Sequence, residues 1–102
     1  MLCSGSCDST ICVWCTRTWQ CLHRIAGHVG SVLALAALPL IDMNSNRYLV
    51  SASGDQTIRM WDIDDKWREC CCQVAHEKSV TLLTISGNRV LSCGDDQKLR
   101  SW

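Results

Sequence analysis

Residues 49–61 read LVSASGDQTIRMW, with Asp62 next in the chain. Apolar and β-branched residues alternate on either side of the polar tetrad SGDQ, which is the pattern of two antiparallel strands joined by a tight turn. Asp55 sits in that turn, where its carboxylate can bond the backbone of its own loop. Ser51 lies four residues before it and Trp61 six after, and a histidine, His28, stands upstream. Ser, His and Asp are the parts of a hydrolytic triad. The stretch therefore admits two chemistries, a nucleophile or an internal polar fastening.

Repetition separates them. LCSGSCDSTICVW at 2–14 and VLSCGDDQKLRSW at 90–102 carry the same spacing: Ser4, Asp8 and Trp14, then Ser92, Asp96 and Trp102. Successive tryptophans of the series are 47 and 41 residues apart, the period of a four-stranded unit and not of a helical solenoid. A nucleophile is needed once, whereas this set occurs in every unit. No G-x-S-x-G elbow is present to expose a serine at a strained turn. The residues therefore predict a fastening and no catalytic group.

Composition narrows the class further. The chain has 102 residues, 47% of them hydrophobic, and ten basic side chains balance ten acidic ones without a run of either sign. That is a globular balance with no footprint for nucleic acid or a membrane surface. The longest apolar run, VLALAALPLI at 32–41, is interrupted by Pro39 and is too short to cross a bilayer. The N-terminal MLCSGSCDSTICVW lacks the basic and apolar regions of a secretion signal. Nine cysteines, an odd number at irregular spacing, read as reduced thiols of the cytosol or nucleus, several of them in inward strand positions as small hydrophobes.

In the central unit, strands are expected at Ser31 to Ala37, Tyr48 to Ser53, Thr57 to Asp62 and Trp67 to Val74. The last unit repeats three of them at Val80 to Ile85, Arg89 to Cys93 and Lys98 to Trp102. SVLALAAL favours helix by propensity. Its counterpart VTLLTI is rich in β-branched residues, and an inner strand buried on both faces need not alternate. PLIDMNSNR, 39–47, replaces the short SGNR of 86–89 and accounts for most of the difference in period.

These segments resemble the WD repeat, the blade unit of a β-propeller. The resemblance rests on Gly27 and His28, the LVSASGDQTIRMWD core closing on Trp61 and Asp62, and the weaker copies on either side, and it covers essentially the whole chain. It implies an all-β fold of four-stranded antiparallel blades, incomplete at 1–26, complete at 27–74 and incomplete at 75–102. A propeller needs about four blades, so the ring is not closed by this chain alone, and a piece of a longer protein is the expectation, with self-association or a gene fragment as the other readings. There are departures. Ala75 replaces the glycine before His76, which allows its loop another path. Cys15 replaces the aspartate after Trp14, and no histidine precedes the first unit.

By the resemblance, His28, Ser51, Asp55 and Trp61 form one hydrogen-bonded tetrad, and His76, Ser92, Asp96 and Trp102 a second. Ser4, Asp8 and Trp14 are a partial set. It further implies a noncatalytic scaffold without a cofactor, whose loops hold other proteins or peptides. Candidate contacts are Val29, Gly30, Ser31, Gln56, Glu77, Lys78 and Gln97. WCTR, Trp14 to Arg17, resembles the WDxR box with which some WD proteins dock on a cullin-ligase adaptor, so a subunit of such an enzyme complex is the alternative. A Ser-His-Asp hydrolase is the remote one.

Two cysteine groups offer side chains of the metal-ligating type. Cys12 and Cys15 flank Trp14 on a strand, where neighbours point to opposite faces, and no second knuckle follows. Cys70, Cys71 and Cys72, with His76 nearby, alternate faces in the same way. No metal site is expected. Trp19 and Trp67 lie outside the repeated tryptophan position and are expected to cover outer-strand edges, or else to mark a contact surface.

Overall fold

The computed structural model describes residues 1–38, 47–87 and 89–102. The long loop expected at 39–47 therefore lies almost wholly outside the described residues. Among the described residues ten strands run in order: β1 Leu2–Gly5, β2 Thr10–Trp14, β3 Cys21–Ala26, β4 Val32–Leu38, β5 Tyr48–Ser53, β6 Thr57–Asp62, β7 Arg68–Val74, β8 Val80–Ser86, β9 Arg89–Gly94 and β10 Leu99–Ser101. They make three open antiparallel sheets, β1-β2-β3, β4-β5-β6-β7 and β8-β9-β10, each with its strands paired in chain order. The alanine- and leucine-rich segment is a strand, β4, held against β5 from Val32–Ser53 to Leu38–Tyr48.

The turns repeat as the sequence does. Ser9, Gln56 and Gln97, each following the turn aspartate, all have left-handed backbones with φ of 76°, 74° and 64°. Each aspartate accepts the N–H two residues on: Asp8 from Thr10, Asp55 from Thr57 and Asp96 from Lys98. This local bond stabilises the reversal that the left-handed residue completes.

The sheets stack face to face with an apolar layer in each gap. Ile11, Val13, Ile25, Val32, Leu49, Trp61 and Trp67 fill the first layer, and Ala52, Ile58, Ala75 and Val80 the second, with Trp102 packed against it. In the first gap Val32 N–H also donates to Ser6 O at 2.9 Å, so backbone and core together fix the N-terminal sheet on the central one.

Two expectations need correction. Trp67 does not cover an edge and does not open β7. It lies in the preceding turn with φ of 60°, buried in the first layer and tilted against His23 with ring centroids 6.2 Å apart. Nor do several cysteines take fully inward positions: Cys12 alone is buried, Cys3, Cys15 and Cys93 are half-buried, and the other five are exposed. The reason is that β7, which carries three of them, is exposed along its whole length.

Candidate functional site

In the central sheet four side chains meet, each from a different element. The loop before β4 supplies His28, β5 supplies Ser51, the β5–β6 turn supplies Asp55 and β6 supplies Trp61. His28 Nδ1 lies 3.0 Å from Asp55 Oδ2, and Nε2 lies 2.6 Å from Ser51 Oγ. Trp61 Nε1 donates to the same oxygen at 2.9 Å. All four are satisfied when Nδ1 carries the imidazole proton. Nδ1–H then donates to the carboxylate, the serine hydroxyl donates to Nε2, and its oxygen accepts from the indole.

The C-terminal sheet repeats the geometry. His76 Nδ1 is 2.9 Å from Asp96 Oδ1, Nε2 is 2.9 Å from Ser92 Oγ, and Trp102 Nε1 donates to Ser92 Oγ at 2.8 Å. Ala75 in place of glycine does not divert this loop from its partners. In the N-terminal sheet Trp14 Nε1 donates to Ser4 Oγ at 2.8 Å. Asp8 there receives the Thr10 hydroxyl at 2.5 Å and faces Arg24 at 3.9 Å.

Burial and hydrogen bonding compete at these groups. Burial lowers the pKa of His28 below its ordinary value, against the opposing pull of Asp55. For Asp55, burial alone would raise the pKa. Donation from the Thr57 hydroxyl, the Val29 N–H, the His28 ring and the Thr57 N–H outweighs it and holds the carboxyl far below the usual range. Asp96 is lowered too, with burial again opposing and the Glu77 N–H, His76 ring and Lys98 N–H prevailing.

Three contributors were not singled out from the sequence. The Thr57 hydroxyl donates to Asp55 Oδ1 at 2.5 Å, and Thr10 two residues after Asp8 was the available signal. Ser53 Oγ donates to Gly30 O at 3.0 Å and accepts the Asp55 N–H at 3.1 Å. Arg59 reaches Glu69 at 2.6 Å and Asp55 at 4.0 Å. Asp62 Oδ1 accepts the N–H groups of Asp64 and Asp65, which caps the turn into β7.

The rim residues are not all alike. Val29 is 84% exposed, and Gln56, Glu77, Lys78 and Gln97 are exposed, whereas Gly30 and Ser31 are half-buried. The aspartates hold the backbone beneath them: Asp55 Oδ2 accepts the Val29 N–H at 2.9 Å, and Asp96 Oδ2 accepts the Glu77 N–H at 3.1 Å. Cys70, Cys71 and Cys72 lie along β7, while both ring nitrogens of His76 are engaged by Ser92 and Asp96. Among the described residues no three His, Cys, Asp or Glu side chains are grouped to hold a metal ion.

Known proteins share this architecture. The chain is 28% identical to Cell division control protein 4 of Saccharomyces cerevisiae, over 97% of this chain and 14% of that protein. It is 33% identical to human WD repeat-containing protein 37, over 90% of this chain and 16% of that one. The solved structure of U3-55K superposes with a TM-score of 0.81 at 24% identity, over 98% of this chain and 29% of that one, a likeness of fold. The chain thus spans about a sixth of the length of the curated relatives it matches. The family model for the WD domain, G-beta repeat, matches residues 19–62 and 68–102, and the chain belongs to the WD40 family.

Proposed function

We propose that the chain is a noncatalytic segment of a WD40 scaffold that presents its turn-bearing rim to other proteins or peptides, in the cytosol or nucleus. WD40 repeats are in general protein-interaction scaffolds. In this reading the sheets are blades divided near residues 27 and 75, and the two tetrads are structural. The carrying observation is the grip of Asp55 and Asp96 on the Val29 and Glu77 amides. The same carboxylates that tie the histidines into each blade hold the backbone from which exposed side chains project. A surface positioned this way loses little loop entropy on binding.

The enclosure of Ser51 supports a noncatalytic role. Its side chain is fully buried, with its oxygen between imidazole and indole, whereas a nucleophile must meet a substrate. The nine free thiols suit a reducing compartment. Exposure of Arg17 in the turn after Trp14 favours, as a second reading, docking of WCTR on a ligase adaptor.

Affinity capture with rim variants tests the proposal. Val29→Asp and Lys78→Glu should lose bound proteins that the parent retains, while their melting curves stay with the parent's. Retention of every bound protein by both variants overturns the rim assignment. Loss of a ligase adaptor with Arg17→Ala alone would select the second reading.

A further inference from the structure

The N-terminal and central sheets use one pair of cross-strand positions in different ways. In the central sheet the β6–β7 register shifts between Met60 and Trp61, so that Glu69 stands opposite Trp61. Across that irregularity Arg59 Nη1 donates to Glu69 Oε1 at 2.6 Å. The N-terminal sheet has its irregularity in the same place, between Val13 and Trp14, with Cys21 opposite Trp14. Cys12 stands two residues before Trp14, as Arg59 does before Trp61. Two thiols therefore occupy the positions of an ion pair.

These thiols are neighbours across the β2–β3 irregularity and differ in access. Cys12 is buried, on the same face of the sheet as Cys21 across the register irregularity. Cys21 is exposed, with its Sγ 3.3 Å from the His23 carbonyl oxygen to which it donates. Arg24 is the direct partner of Cys12 across the sheet and offers a cation to a thiolate there, against the burial that raises the Cys12 thiol. Among the described residues no other cysteine shares this arrangement in the strand registers: Cys3 pairs with Val13, Cys71 with Met60, Cys72 with Arg59, and Cys93 with Leu82 and Leu99.

We infer that Cys12 and Cys21 are a reversible redox modification site, a cross-strand dithiol that a small-molecule disulfide of the glutathione class oxidises to an intramolecular disulfide. Exposed Cys21 loses its proton and attacks one sulfur of the oxidant, forming a mixed disulfide and releasing one thiolate. Cys12 then loses its proton and attacks the Cys21 sulfur, which expels the second thiolate. The two protons lost are taken up by the two released thiolates. Two protein thiols are oxidised and one external disulfide is reduced.

Cys12 and Cys21 are not directly opposite one another but are offset across the register irregularity, so a disulfide between them forms only if the backbone there shifts. The bond therefore closes under strain and opens readily, as regulatory disulfides do. Closure would brace β2 to β3 beneath the turn that carries Trp19.

Purified protein equilibrated in glutathione buffers of increasing oxidation, then alkylated and peptide-mapped, tests the inference. Alkylation of Cys12 and Cys21 should be lost together, with one peptide linking them that dithiothreitol releases. Cys12→Ser should leave Cys21 as a persistent glutathione adduct, and Cys21→Ser should leave Cys12 open to alkylation. A parent chain in which Cys21 stops at the glutathione adduct, or in which either residue bonds a different cysteine first, overturns it.

Discussion

Gly27 lies against the edge of the Trp61 indole so closely that a Cβ built on the glycine would stand 2.5 Å from Trp61 Cη2. The glycine before His28 is thus required by the tryptophan that shares the histidine's serine, and not by its own backbone angles. Loop and strand approach through a missing side chain, and this lets His28 reach Ser51.

Substituting Gly27→Ala should therefore overpack the first apolar layer and cost about 1–3 kcal/mol. Urea denaturation should show a lowered midpoint with an unchanged slope. Ala75 holds the equivalent place before His76, so Ala75→Gly should give a much smaller change. Equal effects at the two positions would contradict this account.

Removing members of the central tetrad should separate two physical contributions. Trp61→Ala deletes a buried indole and should cost about 3–5 kcal/mol through the cavity it leaves. Asp55→Ala keeps the core but strips the partner from the His28 ring and the Val29 amide, at about 1–3 kcal/mol. Thermal melts that overlay the parent for both variants would remove the case for a structural network.

Acid should weaken the fold in two stages. His28 has a lowered pKa in the folded chain, so below the ordinary value of 6.5 the unfolded chain binds a proton that the folded chain refuses. Stability therefore falls as pH drops through that region. Asp55 is also lowered, from 3.8, so its contribution is present above that pH and is lost on further acidification. Denaturation midpoints measured between pH 8 and 3 should decline monotonically. A stability that rises from neutral pH to pH 5 would show the opposite linkage.

The two unmatched tryptophans should respond oppositely to truncation. Both sit in the turn before the outer strand with left-handed backbones, φ of 59° for Trp19 and 60° for Trp67. Trp67 is packed in the first layer, whereas Trp19 is 64% exposed. Trp67→Ala should cost about 3–5 kcal/mol. Trp19→Ala should stay within about 0.5 kcal/mol of the parent, and acrylamide should quench Trp19 far more strongly in the native protein.

Much of the hairpin chemistry could be read in advance. Ser51, Asp55 and Trp61 fall within one strand–turn–strand unit, where a period of two and a short turn determine which side chains are opposite. The three-fold recurrence of that spacing distinguished a fastening from a single nucleophile. His28 is different: it is 23 residues from Ser51 and 27 from Asp55, and repetition with the family resemblance, not local geometry, suggested their meeting.

Sequence alone determined the strand periodicity, the repeating unit and the residues of its turns, because these follow from neighbours a few positions apart. Tertiary structure decided which of two equivalent tryptophans is buried, since that depends on whether another sheet lies against it. It likewise decided that Cys12 and Cys21 share one sheet face across an irregularity, because the register shift between Val13 and Trp14 sets which residues of β2 and β3 are neighbours. Sheet stacking and register shifts are relations between distant segments, and no local pattern of side chains encodes them.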